Sequence, residues 1–319
     1  MSDSSIVFTA RERAELVAFA PPPDELAGDG VVVRTIATLI SAGTELNMQY
    51  AANEFPAHPG YAAAGRVERV GSQVSDLQAG DLVFCQGRHQ SRSYHARQKV
   101  IKLPEGLDPQ LAPFARLMGV SMATLSTTRA RPPSNVLVTG LGPVGHLAAQ
   151  MFRASGYRVS AVDPDSRRRR WLIDKGFSEV LERAPKDAGP SLVVECSGHE
   201  QAALDACRAV GRGGEVVLVG VPWKKQTELS AHAVFHEVFH RYVTLRSGWE
   251  WEVPLHPQSF VGPSTFGNFA GALGWLAEKR VDVSDLYETV SPVDAQRAYQ
   301  DLLHQRASHL AVVFDWTRL

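Results

Sequence analysis

Cysteine is scarce in this chain, with three (Cys85, Cys196, Cys207) in 319 residues and no CxxC pair. That excludes a disulfide framework and a cysteine-rich zinc module, and it fits a reducing compartment. An excess of charge of either sign is also missing. Lys and Arg total 33 against 34 Asp and Glu, so there is no cationic surplus to displace counterions from nucleic acid or to hold an anionic bilayer. No segment approaches the run of about eighteen apolar residues that a membrane span needs. The opening MSDSSIVFTARERAEL has no basic region followed by an apolar stretch, so it does not read as a signal peptide. The expectation is a cytoplasmic protein whose partner is a small molecule, with neither nucleic acid nor membrane involved.

What is present is 44% hydrophobic residues arranged in two patterns. Up to about Lys102 the apolar runs are short and alternating (VVVRTIATL, GRVERV) and are separated by turn-rich text such as PPPDELAGDG, which predicts a mostly antiparallel β unit. From Asn135 apolar strands alternate with helical patterns: NVLVTG, YRVSAVD, SLVVECSG, GEVVLVG and VTLRSG. That order predicts an α/β doubly wound parallel sheet. Between them, Asp108 to Arg129 reads as a helical bridge, and a closing helix and the strand HLAVVFDW follow Phe266. The predicted domains are 1–115, completed by 266–319, and 116–265. Arg167 to Arg170 surround a helix turn and read as a solvated helix start.

NVLVTG runs into Gly140-Leu141-Gly142-Pro143-Val144-Gly145, a GxGxxG, and then into a helix with apolar positions Val144, Leu147, Ala148, Met151 and Phe152. Strand before and helix after make the motif specific to a dinucleotide. Gly140 allows the tight turn, Gly142 lets backbone approach a pyrophosphate, and Gly145 lets helix pack on strand, with the helix amides facing the phosphate. Asp163 ends the next strand 23 positions on, near the spacing of an acid that binds ribose hydroxyls, and its charge favours NAD(H) over NADP(H). The arginines after it argue the other way, since Arg accepts a 2′-phosphate. Ser197, Gly198, Val219, Gly220 and Val221 lie at carboxyl ends of later strands and are expected to line the nicotinamide side. Cys196 reads as a packing residue.

The text SAGTE (Ser41 to Glu45), PGYAAAGRVERVG (Pro59 to Gly71) and LQAGDLV (Leu77 to Val83) ahead of this GxGxxG resembles the medium-chain dehydrogenase/reductase superfamily. The resemblance implies a GroES-like domain joined to a Rossmann domain, hydride transfer, and a dimer through the VTLRSG edge strand. Zinc-dependent members carry a Cys where Ala42 stands, a His at Tyr61, a Glu at Ala62 and a third ligand near Arg116, and they add a four-cysteine lobe absent here. The resemblance is therefore to a zinc-free branch, with text similar to bacteriochlorophyllide dehydrogenases, and it implies a secondary alcohol and ketone pair and no metal.

Without zinc, hydrogen-bond donors must steady the oxygen that gains charge. Thr44 matches a proton-relaying hydroxyl in relatives, or it serves turn chemistry. Tyr61 is either the acid/base, its pKa pulled toward neutrality beside Arg116 or the oxidised nicotinamide, or a core tyrosine filling the vacated pocket. His89 and His95, in the loop after the GD motif, are read as proton shuttles or as surface-loop histidines. Trp249 and Trp251 wall a bulky pocket or pack between subunits. The rival functions are an enoyl or quinone reductase acting on an activated C=C bond, and a non-catalytic dinucleotide sensor. His236-Glu237-Val238-Phe239-His240 formally matches HExxH, with His232 one turn earlier, but it lies between two strands of the dinucleotide domain. It reads as a helix whose histidines face water or a dimer contact.

Overall fold

The computed structural model describes residues 3–186 and 188–319. The chain divides into two compact units. The first runs through Arg116 and adds Leu273–Ala277 and Val283–Leu319; the second holds Leu117–Ala272 and Glu278–Asp282. The return therefore falls later than position 266. In the second unit an added Cβ on Gly119 would lie 2.4 Å from the Phe269 ring, so the start of the Thr265–Ala277 helix belongs with the bridge helix Phe114–Thr127. Gln150 holds Asp282 through two backbone hydrogen bonds of 2.8 and 2.9 Å, and Lys175 pairs with its carboxylate at 2.5 Å.

The first unit is built on a seven-stranded sheet in the order Tyr287–Val290, Ala311–Asp315, Gly30–Leu39, Ala63–Val70, Leu82–Cys85, Val100–Lys102. Arg92–Ala96 also pairs with Gly30–Leu39. All pairings are antiparallel except the first, and the chain-terminal strand joins Gly30–Leu39 with Val313 opposite Leu39. Two cores flank this sheet. Val31, Val33, Val67, Val83 and Cys85 form one; Phe8, Tyr50, Tyr299, Phe314 and Trp316 form the other.

The second unit is a six-stranded, wholly parallel sheet in the order Val180–Leu181, Arg158–Val162, Asn135–Thr139, Leu192–Glu195, Glu215–Leu218, Thr244–Ser247. This is the expected doubly wound α/β fold, and the first unit is the expected β-rich one. The central strands are apolar throughout because helices cover both faces. Val136, Val138 and Val194 bury against Ala148 and Phe152 on one side, whereas Leu137, Val193 and Val216 bury against Ala206 and Val210 on the other. The HExxH segment forms the helix Ala231–Arg241, which buries none of its residues. His232, His236 and His240 are exposed, and Glu237 pairs with Arg208 at 3.4 Å. Among the described residues no group of three His, Cys, Asp or Glu is placed to hold a metal, and no helix is long and apolar enough to cross a membrane.

Candidate functional site

In the second unit the carboxyl ends of three neighbouring strands meet around Gly140. Its φ of +80° is the left-handed conformation that glycine tolerates, and an added Cβ would lie 2.7 Å from the Ser197 amide. A Cβ on Gly145 would sit 1.8 Å from the Gly140 carbonyl oxygen, so the turn closes only with glycine there. Gly198, at φ +68°, and Gly220 pack backbone to backbone, a Cβ on Gly220 falling 2.2 Å from the Gly198 amide. Ser197, Gly198, Val219, Gly220 and Val221 are thus gathered beside the GxGxxG turn; Val219 is buried and Val221 half exposed.

Gly142 differs from its neighbours. Apart from its chain neighbours, a Cβ there meets no atom of the described residues within 4 Å, and its φ of −67° is open to any residue. It starts the helix Pro143–Ala154, whose N-terminus carries no side-chain cap and whose first residue, Pro143, has no N–H. The Val144 and Gly145 amides are then the donors that the first turn offers to an anion. The protein's own packing does not require a glycine at this position.

Asp163 lies at the carboxyl end of the second strand but is 2% exposed. Its carboxylate accepts the Leu141 N–H at 2.7 Å and the Asp165 N–H at 2.8 Å, with Arg168 at 3.5 Å. It braces the glycine turn as well as carrying charge to it. Glu195 escaped the sequence analysis. It is 1% exposed, accepts the Ser197 amide at 2.7 Å and hydroxyl and the Gly198 amide at 3.1 Å, and burial raises its carboxyl above the usual range. A lone carboxylate closing the apolar run SLVV was its only signal. The partly buried Cys196 thiol is pushed well above its ordinary range by desolvation, and then by Glu195, which suits packing rather than nucleophilic attack.

In the first unit a cluster of hydroxyls surrounds Tyr61. Gly60 sets its position, because at φ +95° it lies flat against His89, where a Cβ would fall 2.5 Å from the His89 amide. The Tyr61 hydroxyl contacts the Ser41 hydroxyl and lies 3.1 Å from Thr44 Oγ1. One phenol proton serves only one of these contacts, so in the other a Ser or Thr hydroxyl donates to the phenol oxygen. The buried Arg116 guanidinium lies over the Tyr61 ring, 4.7 Å from its centroid.

Three expectations fail here. Tyr61 is not drawn toward neutrality; burial pushes its phenol up, against smaller lowering effects of Ser41, Thr44 and Arg116. It is a neutral donor at physiological pH. His89 is not in an exposed loop, being 0% exposed, with Nδ1 2.7 Å from Thr38 Oγ1 and Nε2 3.0 Å from Glu45 Oε2. Such a group has no water to trade protons with. His95 is part of the strand Arg92–Ala96, and burial lowers its pKa to about 4. Ser41, the nearer partner of Tyr61, was missed because N-cap serines are common and ordinarily structural.

Two family models match the chain. Residues 28–136 match the alcohol dehydrogenase GroES-like domain, and residues 143–252 match a domain described as zinc-binding dehydrogenase. L-threonine 3-dehydrogenase from Thermococcus kodakarensis is 27% identical over 290 residues, covering 75% of this chain and 80% of that one. An aldehyde reductase from Synechocystis is 26% identical over 175 residues, 45% of this chain, and the match spans only 52% of that protein's length. Among solved structures, galactitol-1-phosphate dehydrogenase from Escherichia coli superposes with a TM-score of 0.83 at 19% identity, covering 98% of this chain and 99% of that one. Acetophenone reductase from Geotrichum candidum, solved with NAD, gives 0.80 at 17% identity, covering 100% and 98%.

Proposed function

Because the chain belongs to the medium-chain dehydrogenase/reductase superfamily, we propose that it is an oxidoreductase moving a hydride between NAD(H) and a secondary alcohol or ketone. The relatives named as threonine dehydrogenase and aldehyde reductase act on hydroxyl and carbonyl carbons, which supports that substrate class. The observation that carries the reading is Gly142, a glycine with open space before it at an uncapped helix N-terminus. The residues present fit a dinucleotide. The Val144 and Gly145 amides would take the pyrophosphate, Asp163 the adenine-side ribose, and Ser197, Gly198, Val219, Gly220 and Val221 the nicotinamide side. Bound NAD(H) would supply or accept the hydride.

The chain's own part is the proton. In the reducing direction Tyr61, kept neutral by burial, donates a hydrogen bond and then its proton to the carbonyl oxygen, while Thr44 steadies the phenol oxygen. Zinc does not fit this cluster. Ala42 has no donor atom, hydroxyls are weak ligands beside thiolate or imidazole, and the Arg116 cation already stacks on the Tyr61 ring. The proposed catalysis is therefore zinc-independent. Titration with NADH and NADPH, followed by NADH-dependent turnover of methyl ketones, tests the reading. Binding of neither nucleotide refutes it, and NADH binding without turnover makes the chain a dinucleotide sensor.

Arg168 beside Asp163 supports a second reading. A cation there suits a 2′-phosphate, and tight NADPH binding with reduction of an enone would make the chain a C=C reductase. We further propose a homodimer. Among the described residues the Thr244–Ser247 strand has a neighbour on one side only, and Phe235, Phe239, Tyr242 and Trp249 of the same unit are exposed. Light scattering at micromolar concentration checks it.

A further inference from the structure

The hydroxyl cluster is tied to a buried carboxylate to which the proposed reaction gives no task. Glu45 is 1% exposed, and three donors converge on its carboxylate. Oε1 accepts the Ser41 N–H at 2.8 Å; Oε2 accepts the Tyr299 hydroxyl at 2.6 Å and faces His89 Nε2 at 3.0 Å. An ionised carboxylate only accepts, which makes Nε2 the protonated nitrogen of His89. On its other side His89 meets Thr38 Oγ1, which also accepts the Trp316 Nε1–H at 2.9 Å. The clamp is thus fixed from the sheet strand Gly30–Leu39 and from the chain-terminal turn.

Glu45 grips Ser41 twice, since its own backbone N–H also donates to the Ser41 carbonyl at 2.9 Å. This changes what the Ser41 side chain does. A serine preceding a helix usually turns its hydroxyl back onto the first-turn amides. Here Ser41 makes no such bond, and its hydroxyl is turned to Tyr61 instead. Burial of Glu45 and His89 without solvent contact is costly unless every polar atom is matched, and the arrangement matches them while fixing Ser41.

We propose that Ser41 is the hydroxyl through which Tyr61 regains its proton, and that Glu45, clamped by His89 and Tyr299, is the positioning residue that holds Ser41 against Tyr61. This rests on the functional reading above. When the carbonyl carbon receives the hydride, the Tyr61 O–H bond breaks as the product O–H bond forms. The Ser41 proton then passes to the phenolate oxygen, and solvent returns one proton to Ser41. The reduction consumes one hydride and one proton.

The test is steady-state reduction of acetophenone and 2-butanone with NADH by the full-length protein and its variants. Ser41→Ala is to lower kcat by about 100-fold, the lower end of the range for a lost proton-transfer partner, with KM and the NADH dissociation constant within twofold of wild type. Ser41→Thr, which restores the hydroxyl, is to recover most of the rate. Tyr299→Phe removes one donor to Glu45 and keeps the ring's packing, so it is to lower kcat while KM stays put; Glu45→Asp, which shortens the clamp, is to do the same. A slow Tyr61→Phe beside a Ser41→Ala as fast as wild type overturns the relay alone. Unchanged kcat in Tyr299→Phe and in any folded Glu45→Asp overturns the positioning role. A Tyr61→Phe as fast as wild type, or a wild type without turnover, overturns the underlying reading and this proposal with it.

Discussion

Replacing Gly142 with alanine separates ligand binding from folding. The residue sits at φ −67° with nothing within 4 Å of an added Cβ, so the folded protein is to tolerate the methyl group. Stability is to change by no more than about 0.5 kcal/mol, as for surface substitutions away from special geometry. A pyrophosphate drawn onto the Val144 and Gly145 amides would meet that methyl. Charge-assisted bonds contribute about 1.5 to 3 kcal/mol each. Weakening each of two by about 1 kcal/mol raises the NADH dissociation constant about 30-fold, at 1.4 kcal/mol per decade. Gly145→Ala is the control with the opposite signature, because its Cβ would lie 1.8 Å from the Gly140 carbonyl. The backbone must then move, at an overpacking cost of about 1 to 3 kcal/mol, and the melting temperature is to drop by several degrees. Fluorescence titration of NADH and a thermal melt on both variants suffice. A Gly142→Ala protein that binds NADH like wild type refutes the cradle, and with it the cofactor assignment.

Tyr61→Phe keeps the ring under Arg116 and removes the proton donor, so kcat for ketone reduction is to fall by about 10²- to 10³-fold while NADH affinity stays within twofold; an unchanged rate makes Tyr61 a packing residue. Prolonged treatment with a strong chelator is to leave turnover intact, and elemental analysis is to find no stoichiometric zinc; a tightly held ion whose removal abolishes activity defeats the zinc-free mechanism. His146 is 0% exposed, and burial lowers its pKa to about 4. The unfolded chain then binds the proton more readily below pH 6.5, so stability is full above that value and falls as pH drops toward 4. Between pH 7 and 5 this group accounts for about 2 kcal/mol of lost unfolding free energy; His146→Gln is to flatten the urea-midpoint slope, and an equal slope in both proteins disproves the assignment. Arg116→Met removes a cation that lowers the Tyr61 phenol, so the pH at which alcohol oxidation accelerates is to move up; a superimposable pH profile rules out electrostatic contact between the two.

The change from alternating runs to strand-and-helix grammar at Asn135 was legible because each pattern records which faces are buried. Val136, Leu137 and Val138 are apolar in succession because helices cover both sides of that strand. In Ala63–Val70 the alternation records exposure directly, since Arg66 and Arg69 are exposed while Val67 is buried. The glycines of the cradle were legible for a related reason, since each marks a place where a side chain has no room or must leave some. Pairings over long sequence distances were not. Nothing in the local text says that His89 meets Glu45 across 44 positions, or that Tyr299 reaches Glu45 across 254. A histidine two residues after a glycine reads as a loop histidine until the strand geometry buries it. The Tyr61 pKa was misjudged through the same gap. Sequence showed a neighbouring cation and could not weigh it against desolvation, which turns out to be the larger effect.

That balance bears on how charge is managed around Tyr61. A divalent cation steadies a developing alkoxide by direct coordination, at the cost of needing anionic or imidazole ligands to hold it. A guanidinium needs none, because it is covalently tethered and an aromatic face accommodates it, as the Tyr61 ring does for Arg116 at 4.7 Å. In the proposed reaction it acts at one remove, biasing the phenol that would meet the substrate rather than meeting the oxygen itself. For such an arrangement to work the phenol must stay protonated in the resting state, yet its conjugate base must be tolerable for an instant. Burial secures the first condition; Arg116, Ser41 and Thr44, all of which lower the phenol's pKa, secure the second. On the zinc-free reading we propose, the cluster at Ala42 and Tyr61 is a donor whose proton is held by desolvation and whose anion is stabilised by hydroxyls and one fixed cation.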